Sequence, residues 1–469
     1  MNRKLLVTIP VAGLIGFFLL QTQVVSSQTT SRARDSGARG SGAQDPGMRV
    51  DPPPPARQSA GGYIDGLTPN QIEFFNAGKE EFEEVESVEE GLGPTLNLDS
   101  CGGCHSQPAT GGSSPKVNPQ VAFAGANNTV PSFITASGPV REARFVRNPD
   151  GTPDGGVHAL FTIIGQTGTD GCTLSQPDFD RELRRNNVIF RIPTPLFGAG
   201  LIEQIPDSTI IANQAANATQ KRALGIRGRA NFSVSGRTIS GQANNNGNDG
   251  TVARFGWKAQ NKSLLLFSGE AYNVEMGITS ELFQTERDET PSCQYAKVPN
   301  SVTDTEADTL LEAISAIEKF AFFQRFLAPP TQSPDTPGGS HSIGRGRTLF
   351  TSIGCALCHT PMMRTGDSTV EALNKRLVNL YSDLLVHDMG EGLADGVSQG
   401  QAGPREFRSA PLWGLGQRIF FLHDGRTKNL VEAIQEHAST RSEANGVIRN
   451  YNSLRESQQQ DILNFLRSL

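Results

Sequence analysis

Cys101-Gly-Gly-Cys104-His105 and, far downstream, Cys355-Ala-Leu-Cys358-His359 decide how this chain is read. Each stretch offers two thiols about one helical turn apart, with an imidazole next to the second. That is the attachment signal for a c-type haem: the thiols add to the two vinyl groups, and the histidine is held beneath the iron. A thioredoxin-like redox pair uses the same cysteine spacing but does not need the histidine. A zinc site wants further Cys or His close by, and neither motif has them. Two copies predict two covalently bound haem c groups. Cys101, Cys104, Cys355 and Cys358 are the expected attachment points, and His105 and His359 the iron ligands.

Outward from these motifs the chain echoes itself. Ahead of each lies a helical stretch with Gly-x-x-x-Phe, Gly78 to Phe82 and Gly346 to Phe350. After each comes Pro-Leu-aromatic-Gly-x-Gly, Pro195 to Gly200 and Pro411 to Gly416. Each half closes on an apolar helical stretch, Leu310 to Leu327 and Ile462 to Leu469. Four echoes in one order point to duplication. The glycines of the shared loop, lacking Cβ, are expected to let backbone approach a haem. The Pro/Gly/Ser-rich stretch from Ala328 to Gly339 reads as a linker. In the longer first half, residues 140–255 hold short alternating stretches such as Val157 to Ile164 among Gly and Asn turns, so β-hairpins and loops are expected there. The expected fold class is mainly α: two cytochrome c-like domains, 67–327 and 341–469, joined by a linker at 328–340, with β-hairpin and loop insertions in the first.

The beginning of the chain concerns location. Arg3 and Lys4 precede a 16-residue apolar run, Leu5 to Leu20, and then small polar residues. This is the layout of a secretory signal peptide over residues 1–27, so a periplasmic protein with no stable membrane anchor is expected. Residues 28–66 are rich in Ser, Gly, Arg and Pro and read as a disordered leader. Order is expected from Thr68-Pro69-Asn70-Gln71, a cap, a first-turn proline and a capping-box glutamine. At 469 residues the chain exceeds one core. Its 19% charged residues, 50 glycines and 28 prolines suit a loop-rich globular protein. A net charge of -6 without long basic runs excludes nucleic acid as the main partner. In an exported chain the two remaining cysteines, Cys172 and Cys293, predict a disulfide.

The order of motifs resembles the bacterial di-haem cytochrome c peroxidase superfamily, which includes the methylamine-utilisation di-haem enzyme. It is more closely similar to the di-haem oxidoreductase ("thiol oxidoreductase") family. The stretches that carry the resemblance are Gly91 to Asn97, Arg254-Phe-Gly-Trp-Lys-Ala259, Met276 to Thr279, His387-Asp-Met-Gly390 and Phe421-Leu-His-Asp-Gly-Arg426. The resemblance implies a C-terminal haem that relays electrons with two protein ligands, and an N-terminal haem with an open face where peroxide reacts.

Counted from His423, the relay's second ligand falls on His437. Leu430, Ala433, Ile434 and His437 also share one helical face. Met389 is the other candidate ligand. The resemblance places Glu275, in Glu275-Met276, in the distal pocket, and Trp257 between the haems. A glutamine carried by the peroxidases is replaced by Leu264-Leu-Leu-Phe267, which predicts a less polar pocket. His158 is the only histidine between 106 and 325, a candidate for closing the first iron. His423 is expected between the haems or near a propionate, while His341 and His387 are read as structural. Glu203 is a weaker acid candidate. The seven glutamates from Glu80 to Glu90 read as a solvated face able to dock a basic donor.

The function implied is a periplasmic di-haem oxidoreductase dependent on peroxide. Electrons would come from a small cytochrome or cupredoxin, enter at the His359/His437 haem and pass to the His105 haem. Two alternatives stand beside it: an electron carrier whose first iron is closed by Met276 or His158, and an oxidase of a protein or small-molecule substrate. The attachment motifs give the first test. Intact mass of the matured protein should exceed the polypeptide by two haem groups that resist acid–acetone extraction; one group or none overturns the reading.

Overall fold

In a computed structural model the described residues are 49–55, 59–125, 127–232 and 252–469, with the backbone of a small hairpin at 238–239 and 242–243. The expected signal peptide, and the leader up to residue 48, lie outside the described residues. Among the described residues no helix is long and apolar enough to cross a membrane. The architecture is largely helical with small antiparallel sheets of two or three strands.

Six helices frame the functional region: α1 (Pro69–Glu83), α2 (Leu264–Met276), α3 (Ala316–Phe326), α4 (Ser340–Ser352), α5 (Leu430–Gln435) and α6 (Glu456–Ser468). Helix α1 starts where its sequence says, with Thr68 and Gln71 capping each other's backbone N–H at 3.4 and 2.9 Å. It packs on α3, and α4 packs on α6 in the same way. A Cβ at Gly78 would strike the Lys319 carbonyl, and one at Gly346 the Asp461 carbonyl. Only glycine allows backbones that close. The aromatic one turn on seals each contact: Phe82 lies 5.0 Å from Phe323, and Phe350 5.4 Å from Phe465, centroid to centroid. The duplication is thus a repeated helix crossing.

The shared Pro-Leu-aromatic-Gly-x-Gly loop repeats too, but not for the expected reason. Gly198 N–H donates to the Leu327 carbonyl at 3.1 Å, and Gly414 N–H to the Leu469 carbonyl at 2.9 Å, so each loop caps the end of its half's closing helix. Gly198 and Gly414 sit at φ of 68° and 74°, which favours glycine. A Cβ at Gly200 would strike the Arg325 carbonyl, and one at Gly198 the Trp413 ring. These glycines therefore permit chain-to-chain approach rather than approach to a haem.

The insertions form a three-stranded antiparallel sheet: Glu142–Phe145 in the centre, flanked by Val157–His158 and Val188–Arg191. The alternating stretch from Val157 is not one strand. Phe161–Thr162 leaves to pair with Thr95–Leu96, because Asn97 Oδ1 takes the Leu160 N–H at 3.2 Å in between. Cys172 and Cys293 form a disulfide across 121 positions of sequence.

Two expectations about chain organisation need correction. The stretch read as a linker is packed: Ala328 N–H donates to Gly62 O at 2.9 Å and Ser333 N–H to Ser468 O at 2.7 Å. Part of the stretch read as leader is also held, with Arg467 gripping Asp51 at 2.7 and 2.8 Å and Asp51 accepting from Leu430 N–H at 2.8 Å. Composition hid both, since backbone hydrogen bonds and a single half-buried carboxylate do not need apolar side chains. The larger core, moreover, takes residues from both sides of 328–340, Phe323 and Phe326 alongside Leu373, Leu380 and Leu385.

The glycine crossings give a prediction of definite sign. In an unconstrained helix Gly346→Ala should stabilise by roughly 1 kcal/mol. Here the methyl meets a fixed carbonyl, and overpacking should cost about 1–3 kcal/mol instead. Denaturant midpoints measure the sign; a raised midpoint contradicts the close crossing.

Candidate functional site

Each Cys-x-x-Cys-His opens onto a large cavity. In the first, Cys101–Cys104 form a single helical turn, and His105 folds back so that its Nδ1–H donates to Gly112 O at 3.0 Å. In the second, His359 Nδ1–H donates to Tyr381 O at 3.0 Å. A carbonyl can only accept, so each ring carries its proton on Nδ1 and keeps the Nε2 lone pair free. Burial pushes both imidazoles down to about 4, holding them neutral. A phenylalanine lies against each ring, Phe82 edge-on to His105 at 5.8 Å and Phe350 tilted against His359 at 6.3 Å. Among the described residues no three His, Cys, Asp or Glu side chains are grouped to hold a metal ion by themselves. Each motif stands as two thiols and one imidazole, the donor set for attaching and ligating a haem.

The C-terminal cavity measures about 1370 Å³, counting space open at its mouth, and its wall is mainly apolar. Cys355, Cys358, His359, Met389, His423 and His437 all border it. His437 lies just past the end of α5, and its Nδ1–H donates back to Ala433 O at 2.7 Å. It is thereby a second neutral imidazole with a free Nε2, pushed down by burial. His387 also borders the cavity, clamped between Asp383 at 3.0 Å and Glu443 at 3.1 Å. Two arginines at its edge, Arg408 and Arg418, have no carboxylate partner among the described residues, and buried Arg418 keeps Nε and Nη2 without a hydrogen bond. A buried and a half-buried cation bordering a cavity suit an anionic group there, and haem carries two carboxylates. The residues fit the cofactor.

The N-terminal cavity, about 1060 Å³, is bordered by Cys101, Cys104, His105, Ala271 and Glu275. It is not the apolar pocket expected from Leu264-Leu-Leu-Phe267, since only Phe267 of those four reaches it. Asn97, Gln120, Gln260 and Gln324 line it instead, and Gln260 Oε1, Gln324 Oε1 and Asn97 Nδ2 have no partner in the protein. These amides come from four separate elements, which is why no local pattern announced them.

Glu275 stands near the end of α2. Its carbonyl accepts from Asn97 N–H at 2.7 Å, while Met276 O takes Gly93 N–H at 3.0 Å. The Gly91–Asn97 stretch thus docks the end of α2 beside the first motif. Burial first, and the Glu142 carboxylate next, raise the Glu275 carboxyl to about 8 against the pull of Arg144. Glu270, one turn earlier on the same cavity wall, is buried and held by Asn261.

Trp257 borders both cavities and a smaller one of about 570 Å³ between them. Its indole N–H donates to Ile192 O at 2.9 Å, and its ring meets His423 edge-on at 6.4 Å. His423 in turn stacks on Phe407 at 4.3 Å. The Arg254–Ala259 motif is what fixes the indole. Arg254 is buried against Asp207 and the carbonyls of Ile202 and Ile205. Lys258 is buried against Asp395 at 3.0 Å and the carbonyls of Gly403 and Glu406 at 2.9 and 3.0 Å. Asp395 also takes Arg191 at 2.5 Å.

Other expected site residues lie elsewhere. His158 stacks on Phe145 at 3.7 Å and pairs with Asp154 at 2.7 Å, outside the residues bordering the N-terminal cavity. Glu203 caps α2 through Leu264 N–H at 2.8 Å and pairs with Arg325. His341 is exposed at the start of α4. Met276 is buried with its sulfur 3.7 Å from Cys101 Sγ and does not border the cavity. The acidic run is not one solvated face: α1 ends at Glu83, and Glu86 is buried, accepting the Tyr272 hydroxyl at 2.6 Å.

The Lys258 clamp yields a stability test. Lys258→Met leaves Asp395 with Arg191 as its remaining cationic partner and the carbonyls of Gly403, Pro404 and Glu406 without the ammonium. Breaking a buried pair by removing one partner costs roughly 3–5 kcal/mol. Denaturant unfolding should show that loss; a change under about 1 kcal/mol would mean the ammonium is not needed.

No curated protein matches the chain. Among solved structures, hydrazine synthase of Kuenenia stuttgartiensis is 13% identical, over 94% of this chain and 100% of that one, with a TM-score of 0.36. The diheme peroxidase BthA of Burkholderia thailandensis E264 is 11% identical, over 90% and 94%, with a TM-score of 0.36. At that level neither likeness bears on function. The sequence profile described as "Di-haem oxidoreductase, putative peroxidase" matches residues 158–469. Because that match runs from the inserted sheet to the C-terminus, well over half the chain, the protein belongs to the di-haem oxidoreductase family, and two haem groups are its cofactors.

Proposed function

We propose that this protein is an exported c-type di-haem oxidoreductase that reduces peroxide at its N-terminal haem with electrons relayed from its C-terminal one. One observation carries the reading. The two halves share a register in which Trp257 matches His423, the bridge of Phe255 with Asn261 matches that of Phe421 with Thr427, and Leu264 matches Leu430. Continued along the helix, that register sets Ala271 against His437. Both border their cavities. A methyl cannot ligate iron, so Ala271 would offer the first haem no second ligand where His437 would offer one to the other.

The donor sets described support covalent attachment at Cys101 and Cys104 and at Cys355 and Cys358, with His105, His359 and His437 as the iron ligands. Bound haem supplies electron storage and activation of peroxide; the protein supplies positioning and protons. Reduction of hydrogen peroxide to two waters consumes two electrons and two protons. Glu275, protonated at neutral pH, is placed to deliver a proton to the departing oxygen. Trp257 spans the gap through which electrons cross. A small cytochrome or cupredoxin is the proposed donor. The Cys172–Cys293 disulfide supports an oxidising compartment outside the cytoplasm.

Resting EPR spectra should show one low-spin and one high-spin haem, with His437→Ala converting the first to high spin. Two low-spin haems inert to peroxide would return the protein to the electron-carrier class. Glu275→Gln should slow the reaction with peroxide about a hundredfold, within the range for acid–base groups. In the unaltered protein the rate should fall as pH rises through about 8, where Glu275 loses its proton. A rate flat across that interval removes Glu275 from the mechanism.

A further inference from the structure

The cavity between the two haem sites has a charge imbalance the proposed reaction does not use. Arg408 and Arg418 border both it and the C-terminal cavity. Arg418 is only 8% exposed, its Nε and Nη2 have no hydrogen-bond partner, and its guanidinium lies 5.8 Å from the Trp257 ring centroid. Half-buried Arg408 donates Nε–H to Gly256 O at 2.9 Å and pairs with no carboxylate among the described residues. Burial, and for Arg408 the neighbouring Arg418, pull both guanidinium groups down to about 10, the mark of cations short of counter-charge. The other buried cations nearby are answered: Arg191 and Lys258 share Asp395, and Arg467 has Asp51. An arginine buried without an anion costs several kcal/mol, so this pair calls for one from outside the polypeptide.

We propose that Arg418 and Arg408 would hold the propionate carboxylates of the C-terminal haem and raise its reduction potential. The only anion the family's cofactor brings is its pair of propionates, and the planar guanidinium fork suits a carboxylate. The rest of the C-terminal cavity's wall is mainly apolar, and its carboxylate, Glu443, is an anion already paired with His387, so the edge with the arginines is where carboxylates can lie; Tyr451 Oη, buried and unpaired on the same cavity, is a further donor. Reduction adds an electron to the haem, and a fixed positive charge beside it favours that state.

Potentiometric titration of the haem-loaded protein tests the inference without reference to peroxide. Arg418→Gln should weaken reduction of one haem at least tenfold, a 59 mV fall for a one-electron couple. The other haem should move much less, and Arg418→Lys, which keeps the charge, should restore most of the loss. Arg408→Gln reads the same contact independently. Unmoved midpoints, equal shifts of both haems, or no rescue by lysine overturn the proposal. In the unaltered protein, infrared difference spectra with 13C-labelled propionates should show carboxylates that remain ionised below the usual range of about 4; propionates titrating normally count against it even if the variants fail to mature.

Discussion

An ammonium surrounded by oxygen in the interior of the protein is the interaction on which the rest depends. Lys258 is fully buried, bound by Asp395 and by backbone carbonyls of the 403–406 loop, and its charge rests on the Phe407 ring at 4.0 Å. Burial drags this ammonium down to about 7, so the protein spends stability to keep it there. What it obtains is position. Asp395 belongs to the second half, Arg191 to the first, and Trp257 is the neighbour of Lys258 in sequence. The same knot therefore joins the halves and holds Trp257, the aromatic that among the described residues borders both cavities.

From that knot the two halves can be seen as copies that diverged on one face. The helix crossings at Gly78 and Gly346, the phenylalanines against the motif histidines and the glycine loops that cap the closing helices are kept in both. All of these shape the side that carries the Cys-x-x-Cys-His motif. Divergence is concentrated opposite. There α5 is a short helix ending just before His437, whereas α2 continues through Ala271 to Met276 and is docked by the inserted Gly91–Asn97 stretch. Conserved scaffolding on one side and altered chemistry on the other is how duplicated sites acquire separate tasks.

Much of this was legible in the sequence because it rests on local patterns. Cys-x-x-Cys-His is read directly, Gly-x-x-x-Phe marks a helix crossing, and the register joining Trp257 to His423 holds in the structure through matching bridges. What escaped has no local signature. The unpaired Arg418 matters only because no carboxylate lies beside it, and absence of a partner cannot be seen along a chain. The polar wall of the N-terminal cavity is assembled from Asn97, Gln120, Gln260 and Gln324, remote in sequence. The 328–339 stretch misled for the opposite reason: its composition describes a free linker, but carbonyls on either side give it fixed backbone partners.

The grip of Arg467 on Asp51 has a bearing on the order of assembly. It closes a ring of 416 residues, and Asp51 also takes the first N–H of the helix leading to His437. In a chain delivered N-terminus first, residue 51 must wait for nearly everything else before its partner arrives. Loop-closure entropy rises only slowly with length, so the wait is a matter of timing more than of stability. Until the clasp shuts, the roof of the C-terminal cavity lacks its fastening. On the proposed reading, that leaves an interval in which a bulky planar group could be seated beside Cys355 and Cys358 before Asp51 and Arg467 latch the door behind it.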